Sequence, residues 1–469
     1  MRQETTSPAR ARGRLAALDG LRFLAALAVV AFHFTGRMSP AWDGGIDTVF
    51  PTLSKLTVLG CFGPYLFFMI SGFVVLMSAW GRPVAGFLAS RVGRLFPAYW
   101  LAVVVTGVVL FTNQTFLAGW EGLGLPGVTL NLTMFQSAFG VGHVDGVYWT
   151  LWAELKFYLI LALIAVAGIT RSRMLLLCLT WPVLGALART TEQRFLTEVL
   201  MPDYAPFFCI GVLLYLAYRD GWGAAIGLLL GLNYVCGLWA IDLYYIPETT
   251  KVAGIPAGSF ATLAVLFTLC IAAIVVVTMT RVSRIGWGWL TTLGALTYPL
   301  YLLHEINGWT LIRHLQPVLP AYANVAVTVL VLLLLAHLTA RFVEKPLGNR
   351  LRRAVERDLG RSFSRLATVP AGERAEQAPP AAPAPQLIAP AAPVAEPATA
   401  AMARPLAQLV DQLVSPPTPP ARRMPPVPAA GRSTVQFHVP GPRSTPECTP
   451  AAAPATAEVP AQRRPVSSR

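Results

Sequence analysis

The chain predicts an all-α fold: a polytopic membrane helix bundle of about ten transmembrane helices with a disordered C-terminal tail. Three observations carry that prediction. Of 469 residues, 55% are hydrophobic and only 13% charged, with a mean hydropathy of +0.55, where a soluble domain carries roughly a quarter charged residues. Ten apolar stretches approach or reach the ~20 residues that cross the hydrocarbon as a helix. Between them, basic residues are dense in every second gap and sparse in the others, as membrane orientation requires. The formal net charge of +14 sits in those gaps and in the tail. That placement suits anionic lipid and membrane orientation better than a nucleic-acid groove.

The ten stretches lie near 15–34, 59–80, 95–112, 147–169, 173–188, 205–218, 223–240, 260–279, 287–311 and 322–343. The first ends in Phe-His-Phe-Thr-Gly-Arg without a small-residue cleavage site, so it is read as a retained helix. The fifth and sixth are short, which fits tilted or half-buried helices. An even number places both termini on one side. With the N-terminus cytoplasmic, seventeen Lys and Arg fall in inside segments and six outside, and the long outer loop 113–146 has none. Both termini are therefore expected in the cytoplasm, following a basic segment 1–14 at the start and a basic juxtamembrane segment 347–364 after the last span. From about 365 the character changes: 23 of the 39 prolines fall in 370–469. Such a segment buries too little apolar surface to offset its ordering entropy. Within it PLAQLVDQLV, 405–414, spaces its apolar residues as a helix does. It reads as a transient helix or as a docking motif for a partner or the membrane surface. Cys61, Cys178, Cys209, Cys236, Cys270 and Cys448 show no metal-ligand or CxxC spacing and read as apolar fillers. No metal site is predicted.

Polar residues inside the spans are the functional signal, because each costs on the order of 2–3 kcal/mol or more at the bilayer centre. The first span carries Asp19, Arg22 and His33. Arg22 and His33 are eleven residues apart, which puts them within ~20° on one helix face and about 16 Å apart along it. Arg91 and Arg94, at i and i+3 on the third helix, form a two-pronged site for a phosphate-bearing ligand, or simply mark the cytoplasmic end. The fourth helix opens with Asp145 at the outer surface and sets Glu154 deeper in the bundle. Trp149 and Trp152 suit an interfacial belt. Pro299 kinks the ninth helix, which carries His304 and Glu305 toward the outer half. Ser71 and Gly72 allow close approach on the second helix; Ser71 lacks the flanks of a nucleophile elbow. Topology thus sorts Arg22, Arg91 and Arg94 toward the cytoplasm, and His33, Asp145, Glu154 and His304 toward the outside. The rival reading is a secondary transporter, which predicts repeated halves; none is evident between 15–169 and 173–343.

Taken in order, LDGLRFLAALAVVAFHF, GPYLFFMISGFVV, FLASRVGRLFPAYW, VYWTLWAELKFY, LTYPLYLLH and the closing FVEKP resemble the acyltransferase-3 family of integral membrane O-acyltransferases, over roughly 15–346. The resemblance covers the membrane domain only, without the SGNH-type extension of some members. It implies a ten-helix enzyme that moves an acyl group, commonly acetyl, from cytoplasmic acyl-CoA to a hydroxyl of a carbohydrate-containing envelope or secreted acceptor. No bound cofactor is implied; acyl-CoA is the donor substrate. The family's important residues map to Arg22, His33, Arg91 and Arg94. Its Trp-(Ser/Thr)-Leu-x-x-Glu maps to Trp149 through Glu154, and its Ser-Tyr-x-x-Tyr-Leu-x-His appears with Thr297 in place of Ser and His304 kept. The implied roles are acyl-CoA binding for Arg22, Arg91 and Arg94, and catalysis for His33, as base or acyl carrier, oriented by Glu154. Asp145, Trp149, His304 and Ser71 are left to acceptor binding or support. The Ala-, Arg- and Pro-rich composition matches a high-GC bacterium, and the expected location is the bacterial inner membrane.

Overall fold

The structure is a computed structural model that describes residues 15–113 and 123–367. Residues 1–14, part of the long loop (114–122), and residues 368–469 with the 405–414 segment lie outside the described residues. Among the described residues the regular structure is helical throughout.

Twelve helices organise the fold: α1 Ala16–Ala31, α2 Gly63–Ala79, α3 Val84–Thr112, α4 Trp149–Ala167, α5 Arg171–Thr190, α6 Ala205–Asp220, α7 Ala224–Ala240, α8 Phe260–Met279, α9 Gly288–Leu303, α10 Glu305–Leu315, α11 Ala321–Thr339 and α12 Lys345–Ala367. Among the described residues nine helical segments are long and apolar enough to cross a membrane. They match nine of the ten expected stretches; the ninth in order, 287–311, is instead broken in two. Two helices also exceed the expected bounds. α3 begins at Val84 rather than 95, taking in Arg91 and Arg94, and helix continues beyond 343 through α12. Hydropathy marks the part of a helix that lipid can hold, not where its backbone hydrogen bonding stops.

α2 and α6 form the centre. Every residue from Ala205 to Ala217 in α6 is buried, as an all-round apolar helix must be. The two helices cross at a pair of glycines: a Cβ on Gly211 would sit 1.9 Å from the Met69 carbonyl oxygen, and one on Gly72 2.1 Å from that of Phe208. Only hydrogen fits at either position. α1 packs against α2 and α9, α4 against α2 and α3, and α12 against α3.

The break between α9 and α10 falls at His304, five residues after Pro299. An interrupted membrane helix is tolerated where side chains take over the freed backbone groups, and here they do. The Leu302 carbonyl accepts the Tyr148 hydroxyl at 3.4 Å. The Ile306 N–H donates to Asp145 Oδ2 at 3.2 Å, and Asp145 Oδ1 accepts the Val147 N–H at 3.2 Å. Asp145 therefore caps two helix starts at once, its own and that of α10. The Tyr301 carbonyl is taken by His304 Nδ1 at 2.8 Å.

Candidate active site

α1 ends in a π turn, Phe32–Gly36, which carries His33. Two carbonyls fix its protonation. His33 Nδ1 lies 2.8 Å from the Val29 oxygen and 3.2 Å from His304 Nε2, and His304 Nδ1 lies 2.8 Å from the Tyr301 oxygen. A carbonyl only accepts, so each Nδ1 carries a proton. In the neutral rings His304 Nε2 then offers its lone pair to His33 Nδ1–H, and His33 Nε2 keeps a lone pair of its own. That nitrogen lies 3.6 Å from Glu305 Oε1, which also accepts from Arg37 Nη1 at 3.0 Å. Arg37 stacks over Trp309, 5.0 Å from the ring centre, and the Trp309 indole N–H donates to the His33 carbonyl at 2.9 Å.

His33, Arg37 and Glu305 face a cavity of about 400 Å³ whose far wall is aromatic, with Tyr65, Trp149, Tyr204 and Tyr245. Glu305 is 1% exposed and its carboxyl is hydrogen-bonded to that of Asp145. Gly146 makes room for it, since a Cβ there would meet Glu305 Oε2 at 2.6 Å.

A second, smaller cavity of about 80 Å³ is lined by Arg22, Ser71, Arg94, Glu154, Tyr298 and Tyr301 among others. Glu154 Oε1 accepts from the Ser71 hydroxyl at 2.7 Å and from the Tyr158 hydroxyl at 2.5 Å. Arg22 lies 3.8 Å from Asp19, one turn back on α1. Arg94 is exposed at the cavity's edge. Arg91 is not part of this lining: it donates to Ser78 Oγ at 3.1 Å and lies over the Phe87 and Tyr158 rings.

Tyr301 lines both cavities. Its hydroxyl is paired with Thr150 Oγ1 at 3.0 Å, and Phe67 packs edge-on against its ring. One side chain is thus shared by a space lined by two guanidiniums and a space lined by an imidazole.

Residues 15–340 match the family model described as an acyltransferase domain. The chain belongs to the acyltransferase-3 family. It is 32% identical over 151 residues to the acyltransferase MdmB of Streptomyces mycarofaciens, an alignment that takes in 31% of this chain and 38% of that protein. The chain therefore spans well under half the length of this curated relative. No solved structure matches. The family match spans most of the bundle, and the nine candidate spans are consistent with a multi-pass membrane protein.

Within this family member several expected placements are corrected. Glu154 does not orient His33; it is committed to Ser71 and Tyr158 in the other cavity, and the carboxylate beside His33 is Glu305. Arg22 and His33 share a helix but line different cavities, because the π turn ends the regular 100° spacing and Tyr301 stands between. Asp145 is fully buried and holds backbone N–H groups, so it braces the α9–α10 break instead of facing a ligand. His304 is likewise fully buried, behind His33. Of Arg91 and Arg94, only Arg94 lines the cavity. Trp149 lines the His33 cavity and packs 5.1 Å from Tyr204, whereas Trp152 donates to Glu198 at 3.1 Å. Ser71 supports Glu154. The residues that sequence reasoning undervalued are Glu305, Arg37 and Tyr301. A carboxylate next to a histidine inside an apolar run was the available sign of the first.

Proposed function

We propose that this acyltransferase moves an acyl group, acetyl by family resemblance, from cytoplasmic acyl-CoA to a hydroxyl of a carbohydrate-containing acceptor. The donor's phosphates are held at Arg22 and Arg94, whose guanidiniums suit phosphate, with Arg91 fixing Tyr158 behind them. This puts the Arg22 end of the bundle toward the cytoplasm, as the charge distribution of the loops favours. The acceptor occupies the His33 cavity. His33 Nε2 removes the proton from its hydroxyl. The oxygen attacks the thioester carbonyl, the C–S bond breaks, and the leaving CoA thiolate takes the proton from the imidazolium. An O-acyl ester and free CoA result. Glu305, 3.6 Å away, offsets the positive charge that His33 carries between those two transfers.

The Arg22 cavity, at about 80 Å³, is well below the ~300 Å³ at which ligand pockets begin. Donor binding therefore displaces Tyr301, joining this cavity to the larger one and bringing the thioester to His33.

The observation that carries the reading is His33 in the lining of the larger cavity, its Nδ1 held by the Val29 carbonyl, which leaves Nε2 as the basic nitrogen of the neutral ring. The test is transfer of radiolabelled acetyl from acetyl-CoA in membranes given lipid and glycan extracts, comparing wild type with His33→Ala and Arg94→Ala. Label in an acceptor fraction that disappears with His33→Ala, and a raised KM for acetyl-CoA in Arg94→Ala, support it. A folded wild type that neither binds CoA nor transfers any short acyl group overturns it.

A further inference from the structure

The aromatic wall of the His33 cavity has its hydroxyls largely engaged and its rings on offer. The Tyr204 and Tyr244 hydroxyls pair with each other at 3.1 Å. That of Tyr301 pairs with Thr150 Oγ1 at 3.0 Å, and that of Tyr245 with Thr249 and Cys61. Trp149, Tyr204 and Tyr244 line the cavity and are only half-buried. Their ring centres lie close together, Trp149 to Tyr204 at 5.1 Å and Tyr204 to Tyr244, edge-on, at 6.0 Å. The electron-rich faces of such rings attract a cation held within about 6 Å of the ring centre. Two guanidiniums are already placed in this way around the cavity: Arg37 lies 5.0 Å from the Trp309 ring centre and Arg189 5.6 Å from that of Tyr244. Both are matched by carboxylates, Arg37 by Glu305 at 3.0 Å and Arg189 by Asp203. Glu248 is not matched. It lines the cavity from the short helix Ile246–Ala253, is exposed, and forms no ion pair or hydrogen bond among the described residues. Lys251, three residues on, is exposed and is not in the lining. With His33 neutral, the cavity lining therefore carries a net negative charge beside a wall of π faces.

We infer that the acceptor is a cation: it carries a methylated ammonium group near the hydroxyl it presents to His33. The ammonium lies against the Trp149, Tyr204 and Tyr244 rings, with Glu248 as its counter-ion. An unmethylated ammonium needs hydrogen-bond acceptors for three N–H groups, and the engaged tyrosine hydroxyls supply few. A protonated tertiary amine needs one, which Glu248 provides, and a quaternary amine needs only the rings and the opposite charge. A cavity of about 400 Å³ lies near the lower end of the usual ligand-pocket range, so the reacting hydroxyl and the ammonium belong to the same small part of the acceptor. The inference rests on the acyl-transfer reading above and adds to it the charge of the acceptor and the residues that select it.

The test uses the full-length protein in detergent or nanodiscs, with labelled acetyl-CoA and two probes of equal shape, dimethylaminocyclohexanol and isopropylcyclohexanol. Each offers one hydroxyl; at neutral pH only the first is a cation. Wild type is expected to prefer the amine in kcat/KM by about tenfold or more, the scale of a desolvated cation–ring contact. Glu248 is exposed, so Glu248→Gln removes the charge without disturbing the packing, and it should bring the ratio of the two probes most of the way to one. Trp149→Leu, which keeps an apolar side chain and removes the π face, should lower the same ratio. A purely structural role would slow both probes alike and leave the ratio unmoved. A wild type that acylates the two probes equally well overturns the inference without any variant. So does an amine preference that survives in both variants. Transfer to lipid or glycan extracts with neither probe acylated overturns the alkylammonium class. The absence of transfer from acetyl-CoA to any acceptor, extracts included, defeats the acyl-transfer reading itself, and so is told apart from failure of this one.

Discussion

Glu305→Gln keeps the shape of a buried side chain and removes its charge. At 3.6 Å from His33 Nε2, a carboxylate stabilises the imidazolium by about 5 kcal/mol at an effective dielectric constant of ~20. Arg37 shares the same oxygen at 3.0 Å and draws on part of that attraction. In the variant it also remains as a cation beside the ring. Taking roughly half the Coulomb figure as the loss in the transition state, kcat should fall about 30- to 150-fold, with KM for acetyl-CoA little changed. Glu154→Gln is the matched comparison. Its carboxylate contacts Ser71 and Tyr158 in the Arg22 cavity, so its loss should raise KM for acetyl-CoA several-fold more than it lowers kcat. Both parameters come from one assay, transfer of labelled acetyl by purified protein over a range of donor concentrations. The reasoning is refuted if Glu305→Gln keeps kcat within threefold of wild type while Glu154→Gln loses kcat at unchanged KM.

The remaining predictions follow the same geometry. Arg22→Ala and Arg94→Ala should each raise KM for acetyl-CoA about tenfold or more, consistent with loss of a charge-assisted phosphate contact. Arg91→Ala, one layer back, should act less on KM and lower thermal stability instead. Asp145→Ala strands the buried N–H groups of Val147 and Ile306, so it should destabilise the protein by about 2–5 kcal/mol in all, read as a lower midpoint in thermal unfolding; a variant as stable as wild type would remove Asp145 from its bracing role. Partial burial in the loop ahead of α4 holds His143 below its ordinary range, beside Gln136 at 2.8 Å. The unfolded chain then binds the proton more strongly, so this contribution is full above the ordinary imidazole pKa of ~6.5 and is lost as pH falls through it. Wild type should lose more thermal stability than His143→Gln between pH 7.5 and 5.5.

Hydropathy located the spans because lipid imposes one requirement on every segment, and α6 or α8 could be read directly from composition. The α9–α10 break could not. Pro299 signals a distortion, but the break falls at His304 because Tyr148 and Asp145, about 150 residues earlier, supply the missing partners. That long-range capping also hid Glu305. On a continuous helix His304 and Glu305 point about 100° apart, so only one would be expected to face a given site; the break lets both serve the same one. Arg22, His33 and Arg94 were legible as costly polar groups in apolar surroundings. Tyr301 was not, since a tyrosine in an apolar helix carries no such cost signal and its role comes from standing between two cavities.

The Tyr301 partition bears on the cell as well as on the reaction. A protein with polar hollows approaching from both ends of a membrane bundle risks becoming a wire for protons, and each elementary charge crossing 100 mV of membrane potential dissipates about 2.3 kcal/mol. The Tyr301 phenol, latched to Thr150, lines both hollows. If it swings only while the donor's arm fills the gap, the bundle stays electrically tight throughout turnover.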